Sequence, residues 1–302
     1  MEVLLRLLAL LGLLLVGTGL RTVGILGANR TKRLNAAAYY VALPALVFVA
    51  TYDRAISSIV SLELFVGVIV VLLGTAAVAW SVHRNRTSSA RRSVAVVQSY
   101  HSNIGYLGVP LIAATFDDRV TAIASAILGF GSLVQVPLTV SILVLINGTS
   151  TRVRDQVWNL ATNPVLLALL IGIVIGSFGI PVHGTIVVGL DALAALALPL
   201  ALLCVGASLD LDLPDVDPFA TGSVTVVKVA AMPVLAWLVF TLLAVDSDTF
   251  TAAVIMLAMP TAVSTYVFAG ELGGDERFAS LNVFVTTVAS VASLFVLIAL
   301  LG

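Results

Sequence analysis

Gln98-Ser-Tyr-His-Ser-Asn-Ile-Gly-Tyr-Leu-Gly-Val-Pro-Leu-Ile-Ala-Ala-Thr-Phe116 lies between two apolar runs and is long enough to cross a membrane. It nevertheless contains what a smooth transmembrane helix avoids. Asn103 brings an amide, Gly105 and Gly108 loosen the backbone, and Pro110 lacks an N–H and clashes with the preceding turn. A backbone group freed in hydrocarbon is costly unless protein or trapped water satisfies it. The stretch therefore reads as an interrupted helix buried at membrane depth. It forms half of a solute site, and the remaining chain is its frame.

That frame is apolar throughout. Of 302 residues, 60% are hydrophobic and 10% charged, with a mean hydropathy of +1.13. A soluble protein of this length could not bury so much apolar side chain, so the chain is read as an all-α polytopic membrane protein embedded in the lipid bilayer. A net charge of −1 provides no electrostatic footprint for nucleic acid. Cys204, the single cysteine, excludes an intrachain disulfide and a thiolate cluster. His83, His101 and His183 lack metal-ligand spacing, and no phosphate-binding Gly-x-x-x-x-Gly-Lys-Ser/Thr loop occurs. No cofactor or metal is expected, and the energy source is a gradient.

A spanning helix needs roughly 20 residues. Ten apolar segments approach or exceed that length: 4–20, 34–52, 59–82, 94–116, 120–146, 160–178, 185–208, 219–245, 250–272 and 278–301. The first could be mistaken for a secretory signal, since Arg6 precedes a leucine-rich core, but Glu2 sits in its basic region. Arg21, Arg30, Lys32, Arg33, Arg84, Arg86, Arg91, Arg92, Arg152 and Arg154 fall in the loops after segments one, three and five. The loops after two and four hold only Arg54 and Arg119. The basic set is thus cytoplasmic, which puts both termini outside the cell membrane. An acidic loop of Asp210, Asp212, Asp215 and Asp217 also falls on the cytoplasmic side, but acidic residues contribute little to orientation.

The halves echo each other. Leu34-Asn35 leads into Ala42-Leu43-Pro44-Ala45-Leu46, and Leu190-Asp191 into Ala197-Leu198-Pro199-Leu200-Ala201-Leu202. Segment four ends in Phe116-Asp117-Asp118-Arg119 and segment nine in Gly274-Asp275-Glu276-Arg277. Segment nine is itself interrupted, at Met259-Pro260-Thr261-Ala262-Val263-Ser264-Thr265-Tyr266. An odd number of spans per half makes this a 5+5 inverted repeat: residues 1–147, a linker 148–158, and residues 159–302. Paired interrupted helices in such repeats point to a transporter's binding site.

In order and spacing these residues resemble the auxin efflux carrier family over essentially the whole chain. The resemblance rests on Leu34-Asn35, Ala42–Leu46, Asn103-Ile-Gly-Tyr-Leu-Gly-Val-Pro-Leu111, Asn163-Pro164, Ala197–Leu202 through Gly206-Ala-Ser-Leu209, Lys228 with Pro233, and Ala258-Met259-Pro260-Thr261. It implies a fold similar to sodium/proton antiporters and bile-acid symporters, with broken helices four and nine crossing at mid-membrane. It further implies a scaffold of helices one, two, six and seven, and a mobile unit of helices three to five and eight to ten that shifts like an elevator, in a homodimer. The crossover then falls on Asn103, Gly105, Pro110 and Pro260. The long cytoplasmic loop of plant auxin exporters is missing between segments five and six, so auxin itself is not implied.

At such a crossing the freed N–H groups of a half-helix N-terminus suit a carboxylate. Segment four is expected to restart near Pro110, where proline fits a first turn, and segment nine just past Pro260. Ser102, Asn103, Thr261, Ser264 and Thr265 would complete a polar lining, with Tyr106 or Tyr266 packing on the solute. Pro44, Pro199 and Pro233 read as kinks. His101 is either a proton-coupling group or a satisfied core histidine. Lys228, about 13 Å into segment eight at the helical rise, either acts at depth or snorkels to the surface. Glu63 lies near the outer end of segment three, as an interfacial residue or a coupling charge. No Asp or Glu occurs in 98–116, 120–146 or 254–270. With dipoles and amides instead of fixed negative charge, the crossing favours an organic anion, or a neutral solute, over a metal cation; the first expectation is a carrier for a small organic anion such as a mono- or dicarboxylate. Two alternatives stand beside this carrier. An intramembrane hydrolase would rest on Asp53 and Asp191, although the Gly-x-Gly-Asp spacing of aspartyl proteases is missing. A non-transporting solute sensor could use the same fold.

Overall fold

The computed structural model describes residues 2–85, 88–150, 153–208 and 217–302. Arg86, Arg152, Leu209, Asp210, Asp212 and Asp215 lie outside the described residues. All regular structure within them is helical. Six helices are long and apolar enough to cross a membrane: Asn29–Thr51, Leu62–His83, Asp118–Asn147, Gly184–Ala207, Pro218–Leu242 and Glu276–Leu301. Ile104–Thr115, Pro164–Phe178 and Ser247–Ala258 are shorter apolar helices. Their outer faces are apolar, with Leu145 81% and Leu242 84% exposed, the arrangement expected where lipid replaces water. The chain is an all-helical, multi-pass membrane protein.

The ends of these helices are set locally. Aspartates accept backbone N–H bonds at four starts: Asp117 from Val120 (2.9 Å), Asp217 from Ala220 (2.9 Å), Asp246 from Thr249 (3.3 Å) and Asp275 from Phe278 (3.0 Å). Each satisfies a donor that the first turn leaves free. Two of them, Asp117 and Asp275, are the residues that echo between the halves. They do the same work, capping the helix that follows an interrupted segment.

Three prolines inside apolar segments share one solution. Leu43, Val109 and Met232 each donate their N–H five residues back, to Ala38, Ile104 and Val227. Each is followed directly by proline, at positions 44, 110 and 233. A wide π-turn draws away the carbonyl that the proline ring would otherwise strike, and leaves no N–H missing from an α-ladder. Pro44 and Pro233, expected as kinks, are thus absorbed as π-bulges. Pro199 instead sits just past a break at Ala195-Leu196, which separates Gly184–Ala194 from Ala197–Ser208.

Small residues bring helices into backbone contact. A Cβ on Gly206 would strike the Leu14 carbonyl, and one on Gly17 the Leu203 carbonyl. Gly172 and Gly176, four residues apart, press on Thr51 and the Arg54 backbone in the same way. Only glycine permits such approach, which is how helices associate where the solvent is itself apolar.

At one end of the molecule Arg91 pairs with Asp275 at 2.9 Å. Partial burial pushes the Asp275 carboxyl up. The Arg91 hydrogen bond, the Phe278 N–H and the Arg91 charge together outweigh it, and hold the group below the usual aspartate value. A depressed folded value means the pair's contribution is present above the ordinary aspartate pKa and is lost as pH falls through the lower, folded one. The thermal midpoint should therefore drop on acidification in that window. Asp275→Asn, which keeps the cap but not the charge, should flatten that part of the profile; an unchanged profile would remove the pair from the account.

Candidate functional site

Two helices are interrupted, and their interruptions meet. Segment four is Ser89–Tyr100 and Ile104–Thr115, separated by the non-helical residues 101–103. Segment nine is Ser247–Ala258 and Ser264–Glu271, separated by 259–263. Ser102 and Thr261 form an isolated antiparallel bridge. The Asn103 N–H donates to the Pro260 carbonyl at 2.8 Å, and the Ala262 N–H to the His101 carbonyl at 3.0 Å. Each break supplies hydrogen bonds the other lacks, so two strand-like residues survive where a helix cannot continue.

Segment four does not restart near Pro110. It restarts at Ile104, because the bridge consumes residues 101–103 and the π-turn then accommodates Pro110 inside the new helix. Segment nine restarts past Pro260, at Ser264.

A cavity of about 250 Å³ lies against this crossing. Its wall includes His101, Ser102, Asn103, Gly105, Tyr106 and Ser264 among the residues expected at the site. Tyr39, Ser132, Gln135, Asn159 and Asn163 join them from other parts of the chain, and Phe268 from the same half-helix as Ser264. Ile104, Gly105 and Tyr106 make up the first turn of a half-helix; the Ile104 N–H donates to the Ser102 carbonyl at 2.9 Å, and those of Gly105 and Tyr106 lack intrahelical partners. Asn103 is 4% exposed, and its side chain makes no cap hydrogen bond to the half-helix it precedes. Tyr39 and Tyr106 stack at 5.6 Å with 12° between their planes. Asn163 holds Tyr39 through its amide (2.6 Å) while capping Pro164–Phe178 with its carbonyl oxygen, which accepts from Val165 at 2.9 Å. The Asn163-Pro164 pair thus sets one wall of the cavity as well as a helix start.

The other expected residues lie elsewhere. Pro110 and Pro260 do not line the cavity; Pro260 contributes its carbonyl to the bridge. Thr261 donates to the Gln98 carbonyl at 2.6 Å, and Thr265 donates to Ala262 at 2.6 Å. Both lie behind the crossing, in a buried polar hub centred on Gln98. The Gln98 amide donates to Thr265 (3.0 Å) and to the Ala279 carbonyl (2.9 Å), and accepts from Asn282 at 2.9 Å. Thr286 accepts the Thr261 N–H at 3.3 Å. On the cavity side, Gln135 donates to the Ser102 carbonyl at 3.2 Å, and the Thr139 hydroxyl bonds His101 Nδ1 at 2.7 Å and the Tyr100 hydroxyl at 2.9 Å. Tyr266 is 39% exposed and off the cavity wall. Glu63 is exposed in the first turn of Leu62–His83, away from the crossing. Lys228 is fully buried, with its ammonium turned to the crossing instead of snorkelling. Asp53 and Asp191 are both exposed, and Asp53 pairs with its neighbour Arg54 at 3.8 Å.

Sequence reasoning passed over Gln98, Gln135, Thr139, Asn282 and Thr286. The signal for three of them was present. An amide in an apolar span is costly facing lipid, and the argument that singled out Asn103 applies equally to Gln98, Gln135 and Asn282.

The family model described as membrane transport protein matches residues 3–298, almost the entire chain. The chain belongs to this family, that of the auxin efflux carriers. Among the similar proteins is an uncharacterized transporter of Methanothermobacter thermautotrophicus, 27% identical over 292 residues, 95% of this chain and 94% of the other. Another, named as a candidate malonate transporter, is from Rhizobium meliloti and is 23% identical over 271 residues, 86% of this chain and 83% of its own. Membership makes this a membrane transport protein.

Proposed function

We propose that this carrier moves a small organic anion, a mono- or dicarboxylate, by alternating access, with the solute held at the crossing of segments four and nine. The observation that carries the reading is the bridge between Ser102 and Thr261 beside a cavity. A cavity of about 250 Å³ admits only a small solute. Its polar groups include the Asn103 amide, the Ser264 hydroxyl and the first turn of Ile104–Thr115, and no carboxylate belongs to its wall. That chemistry receives an anion, and the wall holds no fixed negative charge to neutralise a metal cation. The name of the Rhizobium relative is in keeping with this class.

The same reading takes the chain as ten spans in a 5+5 inverted repeat, similar to sodium/proton antiporters. Its support is that helices coincide with all ten apolar segments, and that the paired caps Asp117 and Asp275 follow the paired interruptions. Segments one, two, six and seven would be the scaffold, the rest the moving unit, and two copies would associate in the cell membrane with both termini outside. The cavity wall includes Asn159 and Asn163, close in the chain to Arg154, so in that orientation the cavity faces the cytoplasmic side.

The test is a thermal-shift screen of the detergent-purified carrier against small carboxylates, followed by flux in liposomes under an imposed potential. A carboxylate should raise the unfolding temperature of the native protein, and raise it less in Asn103→Ala at the same concentration. No carboxylate bound and none moved under any gradient would end the proposal. Full affinity in the variant would move the solute away from Asn103.

A further inference from the structure

Lys228 is one of only two lysines in the chain, and it lies at the heart of the molecule. Its side chain has zero exposure. It leaves segment eight from the π-turn Val227–Ala231 that precedes Pro233. Its Nζ meets three acceptors: Ser102 Oγ at 2.5 Å, the Leu257 carbonyl at 3.0 Å and Met232 Sδ at 3.0 Å. An ammonium has three N–H donors and no acceptor, so this set fits it without remainder. The Ser102 hydroxyl donates to Leu257 at 3.1 Å, which leaves its lone pairs for Nζ. Among the described residues no carboxylate pairs with Lys228.

The oxygen ligands are those a bound alkali cation would take. Leu257 is the penultimate residue of Ser247–Ala258, so its carbonyl belongs to the unsatisfied, negative end of a half-helix. Half-helix C-termini and unwound backbone hold the coupling cation in carriers built on broken helices. Ser102 lies in the other break and also belongs to the cavity wall. A single ammonium therefore bridges both interruptions, one hydrogen bond away from the solute cavity.

We infer that Lys228 is a tethered cation filling the place at the crossing that a dissociable monovalent cation would otherwise take, so that the carrier works without Na+ as a co-ion. The inference rests on the carrier reading for its role in transport, but the occupancy it describes does not depend on any solute. A second cation at these ligands would be repelled by the first. An anion in the cavity is instead attracted by a charge that moves with the protein and never has to be released.

The experiment compares the native carrier with Lys228→Ala and Lys228→Met by thermal unfolding in detergent, in chloride salts of Na+, methylammonium and choline at equal ionic strength, with no solute added. The native midpoint should be the same in all three. Lys228→Ala should unfold earlier in choline and recover on the order of 2–4 °C in Na+ or methylammonium, as a ligand binding only the folded state would produce. Lys228→Met fills the volume without a charge, and should be lowered and show no salt-specific recovery. Stabilisation of the native protein by Na+ over choline would overturn the inference, as would Lys228→Met matching native stability. So would a Lys228→Ala protein indifferent to both small cations. Failure of these outcomes with carboxylate binding intact would sink only the tethered cation; a carboxylate-blind protein that shows them would sink only the proposed solute.

Discussion

Replacing Gln98 with leucine is expected to cost the carrier about 3 kcal/mol of stability, at roughly 1 kcal/mol for each of three interhelical hydrogen bonds. Gln98 has no exposure, and its side chain ties segment four to Thr265 in segment nine and to Ala279 and Asn282 in the last helix. Leucine has nearly the same volume, so the loss is of bonds and not of packing. It leaves the Ala279 carbonyl and the Asn282 amide without these partners inside a region that admits no water. Hydrogen bonds between transmembrane helices average about 0.6 kcal/mol, with single values up to about 1.7, which sets the range. Equilibrium unfolding in detergent measures it. Gln98→Glu separates the contributions, because a carboxylate can accept from Asn282 but cannot donate to Thr265 or Ala279. A leucine variant within measurement error of the native protein would mean that the hub does not hold the crossing together.

Asn103→Asp is expected to weaken anion binding about a thousandfold, and Asn103→Ala only about tenfold. Two unit charges about 4 Å apart at an effective dielectric of about 20 interact by about 4 kcal/mol, which is about three decades in affinity. Loss of one hydrogen bond to a charged solute is worth about 1.5 kcal/mol, or about one decade. Aspartate is nearly isosteric with asparagine, so the fold is kept; the Asn103 N–H bond to Pro260 belongs to the backbone and survives in both variants. Isothermal titration with the carboxylate identified by the screen reads the two affinities. A neutral amide of the same acid is the control, and should distinguish far less between the aspartate variant and the native protein. Equal losses for aspartate and alanine would place the solute's charge elsewhere in the cavity.

Legibility differed between backbone and side chain. The run 98–116 announced its own interruption, since glycine, asparagine and proline at those positions cannot complete an α-ladder in hydrocarbon. The position of the break was less legible. Pro110 looked like a first-turn proline, yet a π-turn can take up a proline within a helix, and the non-helical residues lie at 101–103 because the opposing break pairs with them there. Gly105 and Tyr106 lie on the cavity, while Thr265 and Thr261 lie behind the crossing. Nothing along the chain separates these two groups, because a broken helix has no single periodicity that would assign faces.

What the sequence determined by itself is the set of apolar spans, their two interruptions, and the aspartates that cap the helices following them. Each is a local property: transfer of some twenty side chains to lipid, a missing N–H, a first turn with free donors. Only the tertiary structure decided that the interruptions face each other, that Lys228 turns inward to bridge them, and that Gln98 joins Asn282 at a separation of 184 residues. Those contacts depend on which groups must satisfy one another once water is excluded, and that accounting closes only when the helices are packed together.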